Sequence, residues 1–540
     1  MGFELLDWIV VAFYFAIIAG IAWWVIKQKQ ESTEDYFLAG RHVGWFVIGA
    51  SIFASNIGSE HVVGLAGTAA ETGVVMGHYE MHSWIVLLLG WVFVPFYMRS
   101  RVFTMPEFLE LRYSPMARWF LSIIMLVGYV ITKISVTVYA GAVVFQALMG
   151  IEFWTGALII VVLTGIYTVL GGLRAVVYTE ALQAIVLILG SVIVTIAGLN
   201  AIGGWGNLVA IAGEGHFNMF LPADHPDFPW TGMVFAPPIV GIWYWCTDQY
   251  IVQRTLAARD EQQARRGTIF AGYLKLLPLF IFMIPGIIAF ALAKSGQMTL
   301  PESDQAFPTL VRTLLPVGVR GLVAGGLLAA LMSSLAAVFN SCSTLFTIDI
   351  YKKFKPESSE KQLVNVGRVA TGIVVLSGIA WIPLMRVISG QLYHYLQSVQ
   401  SYLAPPIASV FLLGLFWKRI NAPGALTALI GGFIIGMIRL AAELSKAHLS
   451  GIAFAFADMN FLHFCILLFI ICVVLMIIVS LLTPAPVDRK INGLTYQTTV
   501  AEDKAASRAS WNYKDVINSL VIVGIIVLIY LYFSPWGIGG

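Results

Sequence analysis

Nine ionisable side chains stand inside long apolar runs: Glu60, His61, Glu80, His82, Lys133, Glu180, Asp248, Lys275 and His394. Charge is expensive away from water, so such residues face a cavity, pair with one another or mark a pathway. The densest group lies in "ASNIGSEHVVGLAG", residues 54–67, where Asn56 and Glu60 are four apart. Glu80 and Ser83 are three apart, which puts both on one helical face. Neither Glu80 nor Lys275, in "AGYLKLLPLF", can stay charged alone in lipid. A shared wet pocket resolves both. With Gln397 in "YHYLQSVQSYLAPP" adding an amide, the set suits a polyhydroxylated solute. A carboxylate accepts from two adjacent hydroxyls, while an ammonium or amide donates to others. Each residue taken alone is also explained as glue between helices. Lys133, in "YVITKISV", fits snorkelling or local pairing. Glu180 and Asp248 fall near predicted cytoplasmic ends, where hydration lowers the cost.

A second chemistry is written in "GGLLAALMSSLAAVFNS". Ala330, Ser333 and Ser334 are i, i+3 and i+4 on one helical face. Two hydroxyls with backbone carbonyls make an oxygen-only site, the ligand set of a hard cation such as Na⁺. Serine in a membrane helix also bonds back to its own backbone, which is the competing explanation. Gly58 follows Asn56 and Ile57 and weakens that helix. A broken membrane helix exposes carbonyls and a positive N-terminal end, the device by which transporters hold solutes and Na⁺. The alternative is a packing kink, since "GLAG" at 64–67 is a close-approach surface. In "FAPPIVGIWYWCTDQY", Pro237 and Pro238 are expected to break a further helix. Trp243, Tyr244 and Trp245 follow; they form an interfacial belt or send at least one ring inward over the pocket.

The elements that must position these groups are membrane helices. Of 540 residues 59% are hydrophobic and 11% charged, with a mean hydropathy of +0.84. Soluble domains carry about 25% charged residues, so little is left for a separate soluble domain. Cys246, Cys342, Cys465 and Cys472 all sit in apolar segments and read as packing residues. The start, "MGFELLDWIVVAFYF", reads as a first span rather than a removable signal. At roughly 20 residues per crossing, fourteen spans are predicted near 7–27, 43–68, 73–99, 117–148, 151–170, 175–199, 229–252, 267–294, 318–350, 363–387, 390–417, 422–445, 461–483 and 513–535. With both termini outside, 24 of the 32 Lys and Arg face the cytoplasm and six the exterior, which fixes this orientation. The polar stretch 484–512 sets the last span apart as an accessory. No phosphate loop, nucleotide fold or zinc-protease motif occurs, and no nucleophile–base pair recurs. A pump driven by ATP therefore requires a partner, and neither an enzyme nor a nucleic-acid binder is expected.

Residues 31–485 resemble the sodium/solute symporters, in particular the sodium/glucose cotransporter branch. The likeness runs through "STEDYFLAGR", "FASNIGSEHVVGLAGT", "GWVFVPFY", "TMPEFLELRY", "WYWCTDQYIVQRTLAA", "GYLKLLPLFIFMIPG" and "SGQLYHYLQSVQSYLAPPIASVFLLGLFWKR". The resemblance implies an all-α membrane protein of fourteen helices with a ten-helix inverted-repeat core of the leucine-transporter type. It divides the chain into 1–42, an extra helix and loop; 43–417, the core; 418–483, two peripheral helices; 484–512, a cytoplasmic linker; and 513–540, a last helix. Sugar contacts carry over onto Asn56, His61, Glu80, Ser83, Lys275 and Gln397, and gate residues onto Tyr244, Trp245 and Tyr393. The Na⁺ site carries over onto Ala54 and Ile57 by carbonyls, and onto Ala330, Ser333 and Ser334. The implied function is import of a monosaccharide with Na⁺ by alternating access, as a monomer or weak homodimer in the bilayer. Met81, Gly241 and His394 depart from the family pattern, and "GSEH" also resembles the inositol-transporting members. A cyclic polyol or sugar acid is therefore the alternative solute; a sensor or channel is more remote. Ala336 stands where relatives with a second Na⁺ have a hydroxyl, which predicts one Na⁺ per substrate. The missing cysteine-rich external loops of animal relatives point to a bacterial inner membrane.

Overall fold

The break expected within residues 54–67 is present. In the computed structural model, which describes residues 3–27, 32–58, 60–385 and 392–540, the helix Trp45–Asn56 ends in an extended Ile57 (φ −80°, ψ 94°). The chain resumes as a π-helical segment, Glu60–Leu65, and an α-helix, Ala66–Thr72. Gly58 is demanded by close approach as well as by low helix propensity. A Cβ there would stand 2.5 Å from Glu60 Oε2 and 2.6 Å from the Ser334 hydroxyl. Ser59 of this stretch, and Lys29 and Arg386 of the charge distribution, lie outside the described residues.

The prolines behave differently. Pro237 and Pro238 were expected to break their helix, yet Trp230–Gly241 runs straight through them. Membrane helices tolerate proline where surrounding groups satisfy the freed carbonyls. The interruption falls seven residues beyond Gly241: a π-helical segment, Ile242–Thr247, ends at an extended Asp248 (φ −77°, ψ 131°), which begins Gln249–Leu256. The side chain of Asp248 accepts from the Tyr250 N–H and caps the new helix.

Among the described residues all regular elements are helices, apart from an isolated bridge between Val43 and Ala258. Ten helices there are long and apolar enough to cross a bilayer, and Trp45–Asn56 and Phe153–Ile166 are shorter apolar helices. The described residues of the predicted spans near 229–252 and 363–387 are helical too, the latter as Glu360–Met385. Phe153–Ile202 is one hydrogen-bonded run that turns at Gly172 (φ 56°, ψ −160°), a conformation only glycine adopts freely. Burial sorts centre from rim. In its most apolar stretch Val319–Phe354 is 94% buried, and Tyr513–Tyr532 only 22%. The central helix owes its place to small residues (Gly325, Gly326, Ala329, Ala330, Ser333, Ser334, Ala336 and Ala337), which let backbones approach closely.

Buried ion pairs fix the neighbours of this helix. Asp7 accepts from Arg320 (2.7 Å) and from the N–H groups of Gly318 and Gly321. Asp349 accepts from Arg118 (2.7 Å) and Thr104 (2.8 Å). Glu180 accepts from Arg254 (2.9 Å), Ser55 (3.1 Å) and Ser51. Glu180 and Asp248 are thus enclosed rather than hydrated, because packed helices cover the ends on which they sit. The last helix, Tyr513–Tyr532, is tied by Trp91 to Ser519 (3.0 Å), Arg266 to Asp515 (3.0 Å) and His78 to Tyr530 (3.0 Å). All four cysteines are free and buried.

Candidate functional site

The two interrupted helices meet, and a cavity of about 40 Å³ lies where they do. A water needs roughly 10–15 Å³ by this measure, so the space holds a few waters. A six-membered polyol needs the walls to separate. Several of the cavity's lining residues come from places where helices are irregular, while Gln397 lies on the helix Leu392–Phe416. Asn56 ends the first half-helix, and Glu60 and His61 open the π-helical segment beyond the break. Tyr244 and Trp245 lie in the π-helical segment Ile242–Thr247, and Lys133 in another, Val130–Ile134. Lys275 caps Glu261–Leu274, three residues before Pro278, whose ring cannot continue the hydrogen-bond ladder. π-Helical turns widen a helix locally and re-aim side chains, which is why they recur at functional sites.

Charge in the cavity is paired across elements. Glu80 Oε2 accepts from Lys275 Nζ at 2.5 Å. Its Oε1 lies 3.4 Å from His61 Nε2 and accepts from the Tyr393 hydroxyl at 3.3 Å. Lys275 also donates to Asn56 Oδ1 (3.0 Å), and its ammonium sits 5.4 Å from the Trp245 ring centre. Asn56 Nδ2 donates to the Tyr244 hydroxyl (3.0 Å), which also accepts from Tyr250. A second pair closes the wall: Lys133 donates to Glu60 Oε1 at 3.1 Å and lies 4.7 Å over the Tyr244 ring. Removing one member of a buried pair strands the other charge and costs about 3–5 kcal/mol.

The oxygen-rich site stands on the same half-helix, at the two residues that precede Asn56. Ser333 donates to the Ala54 carbonyl (3.1 Å) and Ser334 to the Ser55 carbonyl (3.3 Å). These carbonyls belong to the C-terminal turn of Trp45–Asn56, whose oxygens lack partners within the helix. Two hydroxyls and two carbonyls fit a hard monovalent cation. Among the described residues no group of three or more His, Cys, Asp or Glu could hold a metal ion.

Most of the expected residues converge. Asn56, His61, Glu80, Lys275, Gln397, Tyr244, Trp245 and Tyr393 line the cavity. Among the described residues Gln397 Oε1 has no partner there. Ala54, Ser333 and Ser334 meet at the oxygen site, with Ala330 one turn earlier on the same helix. Among the described residues no carbonyl contact marks Ile57 or Ala330 as ligands. Ser83 departs from expectation: it is buried but does not line the cavity. The regular helix that would align it with Glu80 is interrupted at Met81 and His82 (ψ 6° and 4°), and a new helix starts at Ser83. His394 packs on Phe228 and Phe461 instead of lining the cavity. Lys133 was read as snorkelling or locally paired, and it lines the cavity with Glu60. The sequence signal for that pair was two charges of opposite sign inside apolar runs, 73 residues apart.

Residues 36–432 match the Sodium:solute symporter family. The chain is 40% identical over 522 residues to sodium/glucose cotransporter 1 of Oryctolagus cuniculus, covering 88% of this chain and 79% of that protein. It is 41% identical over 473 residues to sodium/myo-inositol cotransporter 2 of Homo sapiens, covering 81% and 70%. Its fold is similar to that of a Na⁺-coupled sialic acid symporter solved in a substrate-bound outward-open state. The TM-score is 0.77 and the identity 22%, covering 89% of this chain and 99% of that one. A nucleobase-cation-symport-1 family transporter, in a closed conformation with bromovinylhydantoin bound, gives a TM-score of 0.52 at 15% identity, covering 84% and 97%. The architecture is of the leucine-transporter type, as expected. With the family match spanning most of the chain and relatives near 40% identity along it, the chain belongs to the sodium:solute symporter family.

Proposed function

We propose that this protein is a Na⁺-coupled symporter that carries a monosaccharide of the glucose or galactose type by alternating access. One observation carries the reading: Asn56 touches the pocket while its two preceding residues serve the oxygen site. Ala54 and Ser55 offer their carbonyls to Ser333 and Ser334, and Asn56 bonds Lys275 and Tyr244. A cation bound at those carbonyls sets the end of this half-helix, and with it the donors and acceptors that meet the sugar. The effect is reciprocal, so Na⁺ tightens sugar by the factor by which sugar tightens Na⁺. The membrane potential adds ~2.3 kcal/mol per charge per 100 mV. Tyr244, with Trp245 and Tyr393 beside it, forms the gate; opening it breaks its hydrogen bonds to Asn56 and Tyr250. Each is worth about 0.5–1.5 kcal/mol net, a barrier that thermal motion crosses readily.

Sugar contacts fall on Asn56, His61, Glu80, Lys275 and Gln397, and the Na⁺ ligands are Ala54, Ser333 and Ser334 with Ile57 and Ala330 beside them. Ala336 in place of a hydroxyl favours one Na⁺ per sugar. Residues 43–417 form the transport core, flanked by 1–42, by two peripheral helices in 418–483, by a linker at 484–512 and by the helix in 513–540. The protein works without catalysis in a bacterial inner membrane, both ends external, as a monomer or weak homodimer. The second reading keeps the mechanism and changes the solute to myo-inositol or another polyol, favoured by the relative of that kind at 41% identity. Purified protein in liposomes, given an inward Na⁺ gradient, tests both readings. Accumulation of radiolabelled glucose or galactose over inositol supports the first, inositol over hexose the second. Equal uptake with K⁺ or choline in place of Na⁺ refutes coupling, and a flux ratio near two overturns the single Na⁺.

A further inference from the structure

Beside the Glu80–Lys275 pair the cavity has a histidine with no part in the ion pairs described above. His82 lines the cavity and is 5% exposed. One side of its ring is hydrogen-bonded to the Pro237 carbonyl, and its Nε2 has no partner among the described residues. Tyr79 holds the ring edge-on, with centroids 5.6 Å apart. The opposite wall is Gly241, and the ring occupies the space a side chain would take there. A Cβ on Gly241 would stand 2.9 Å from both Nδ1 and Cε1 of His82 and 2.4 Å from the Ile85 side chain. Real Cβ atoms do not approach so closely, so the glycine is a condition of the ring's position.

We propose that His82 sets substrate specificity: its Nε2 accepts a hydrogen bond from one hydroxyl of the transported sugar, and Gly241 gives the ring room to do so. This rests on the sugar-transport reading above. A ring bonded through one nitrogen to a carbonyl carries its proton there, which leaves the other nitrogen as an acceptor. A buried acceptor left without a donor is costly, and a sugar hydroxyl supplies one. Glu80 is already engaged by Lys275, His61 and Tyr393. His82 therefore adds an uncommitted acceptor to the cavity. Recognition by an acceptor that must be met rejects analogues lacking the matching hydroxyl far more strongly than an apolar wall does.

The test is Na⁺-driven uptake in liposomes by wild type, His82→Phe, His82→Gln and Gly241→Ala, across the preferred sugar and its monodeoxy analogues. In wild type one analogue should lose about tenfold or more in affinity because it lacks the hydroxyl that His82 meets. His82→Phe keeps the ring and removes the acceptor, so it should bind the parent sugar about tenfold more weakly and treat that analogue and the parent alike. His82→Gln, which keeps an acceptor, should recover part of the discrimination. Gly241→Ala should resemble His82→Phe, since its methyl displaces the ring. In all of them the Na⁺ concentration for half-maximal uptake at saturating sugar should stay as in wild type. An unchanged analogue profile in His82→Phe overturns the proposal, as does an equal loss for every sugar with no change in discrimination, which marks a structural residue. Failure of wild type to accumulate any sugar overturns the parent reading and this one with it. Wild-type uptake with an unaltered variant profile overturns this one alone.

Discussion

The two helix breaks that face each other across the cavity are made from opposite materials. The first comes at the end of Trp45–Asn56, where a helix leaves carbonyl oxygens without partners. It is completed from outside, by Ser333 and Ser334 of the central helix. The second comes at the start of Gln249–Leu256, where a helix leaves N–H groups without partners, and it completes itself: Asp248 caps its own helix and takes the Tyr129 hydroxyl. A cation seeks free oxygens and a helix C-terminal end. On the proposed function, the first break therefore responds to an ion placed between two helices. On the proposed function, the second is a local joint beside the gate residues Tyr244 and Trp245, and ion binding does not enter into its closure.

Removing a hydroxyl from the first break gives the largest effect that this contrast predicts. Ser334→Ala should abolish Na⁺-dependent uptake while the protein still inserts and purifies. Retained Na⁺ stimulation in liposomes would place the ion elsewhere. Crowding the same break comes next. Gly58→Ala puts a methyl into Glu60 and Ser334, and overpacking of this kind costs about 1–3 kcal/mol. That cost should appear as weaker Na⁺ activation and a lower unfolding temperature in detergent; wild-type values in both would deny the close approach.

Gln397→Ala touches neither break. It should weaken sugar affinity by about 1–3 kcal/mol, the cost of an unmet buried polar partner, with Na⁺ half-saturation at saturating sugar unchanged. A parallel loss in Na⁺ affinity would merge the two sites. The smallest effects belong to the second break. Asp248→Ala removes a cap worth about 1 kcal/mol, read as a lowered unfolding temperature, and Asp248→Asn, which caps as well, should recover most of it. Na⁺ dependence should be wild type in both, and loss of coupling in Asp248→Asn would end the distinction drawn between the breaks.

Much of this was legible before any fold was known, and the exceptions are instructive. Glu80 and Lys275 are 195 residues apart, yet each is untenable alone in lipid, and that alone paired them. Lys133 and Glu60 obey the same rule, but a long lysine has a second way out, by snorkelling, so composition left their pairing open. Pro237 and Pro238 misled because proline's effect was judged within its own helix, whereas neighbours decide whether a membrane helix survives it. Ser83 misled because a regular 3.6-residue period was assumed across Met81 and His82, where the backbone tightens.

The sequence by itself determined the solvent, the helical class, the first break and the two-serine face. These follow from transfer free energy and from spacings of three or four residues, which act locally along the chain. Only the tertiary structure decided which apolar helix is central, where the second break falls and which π-helical turns aim Glu60, Lys133 and Tyr244 at one another. Those outcomes depend on contacts between segments far apart in the chain, and the buried Val319–Phe354 and the rim helix Tyr513–Tyr532 have the same mean hydropathy, 2.2. Hydropathy therefore carries no record of the difference between these two.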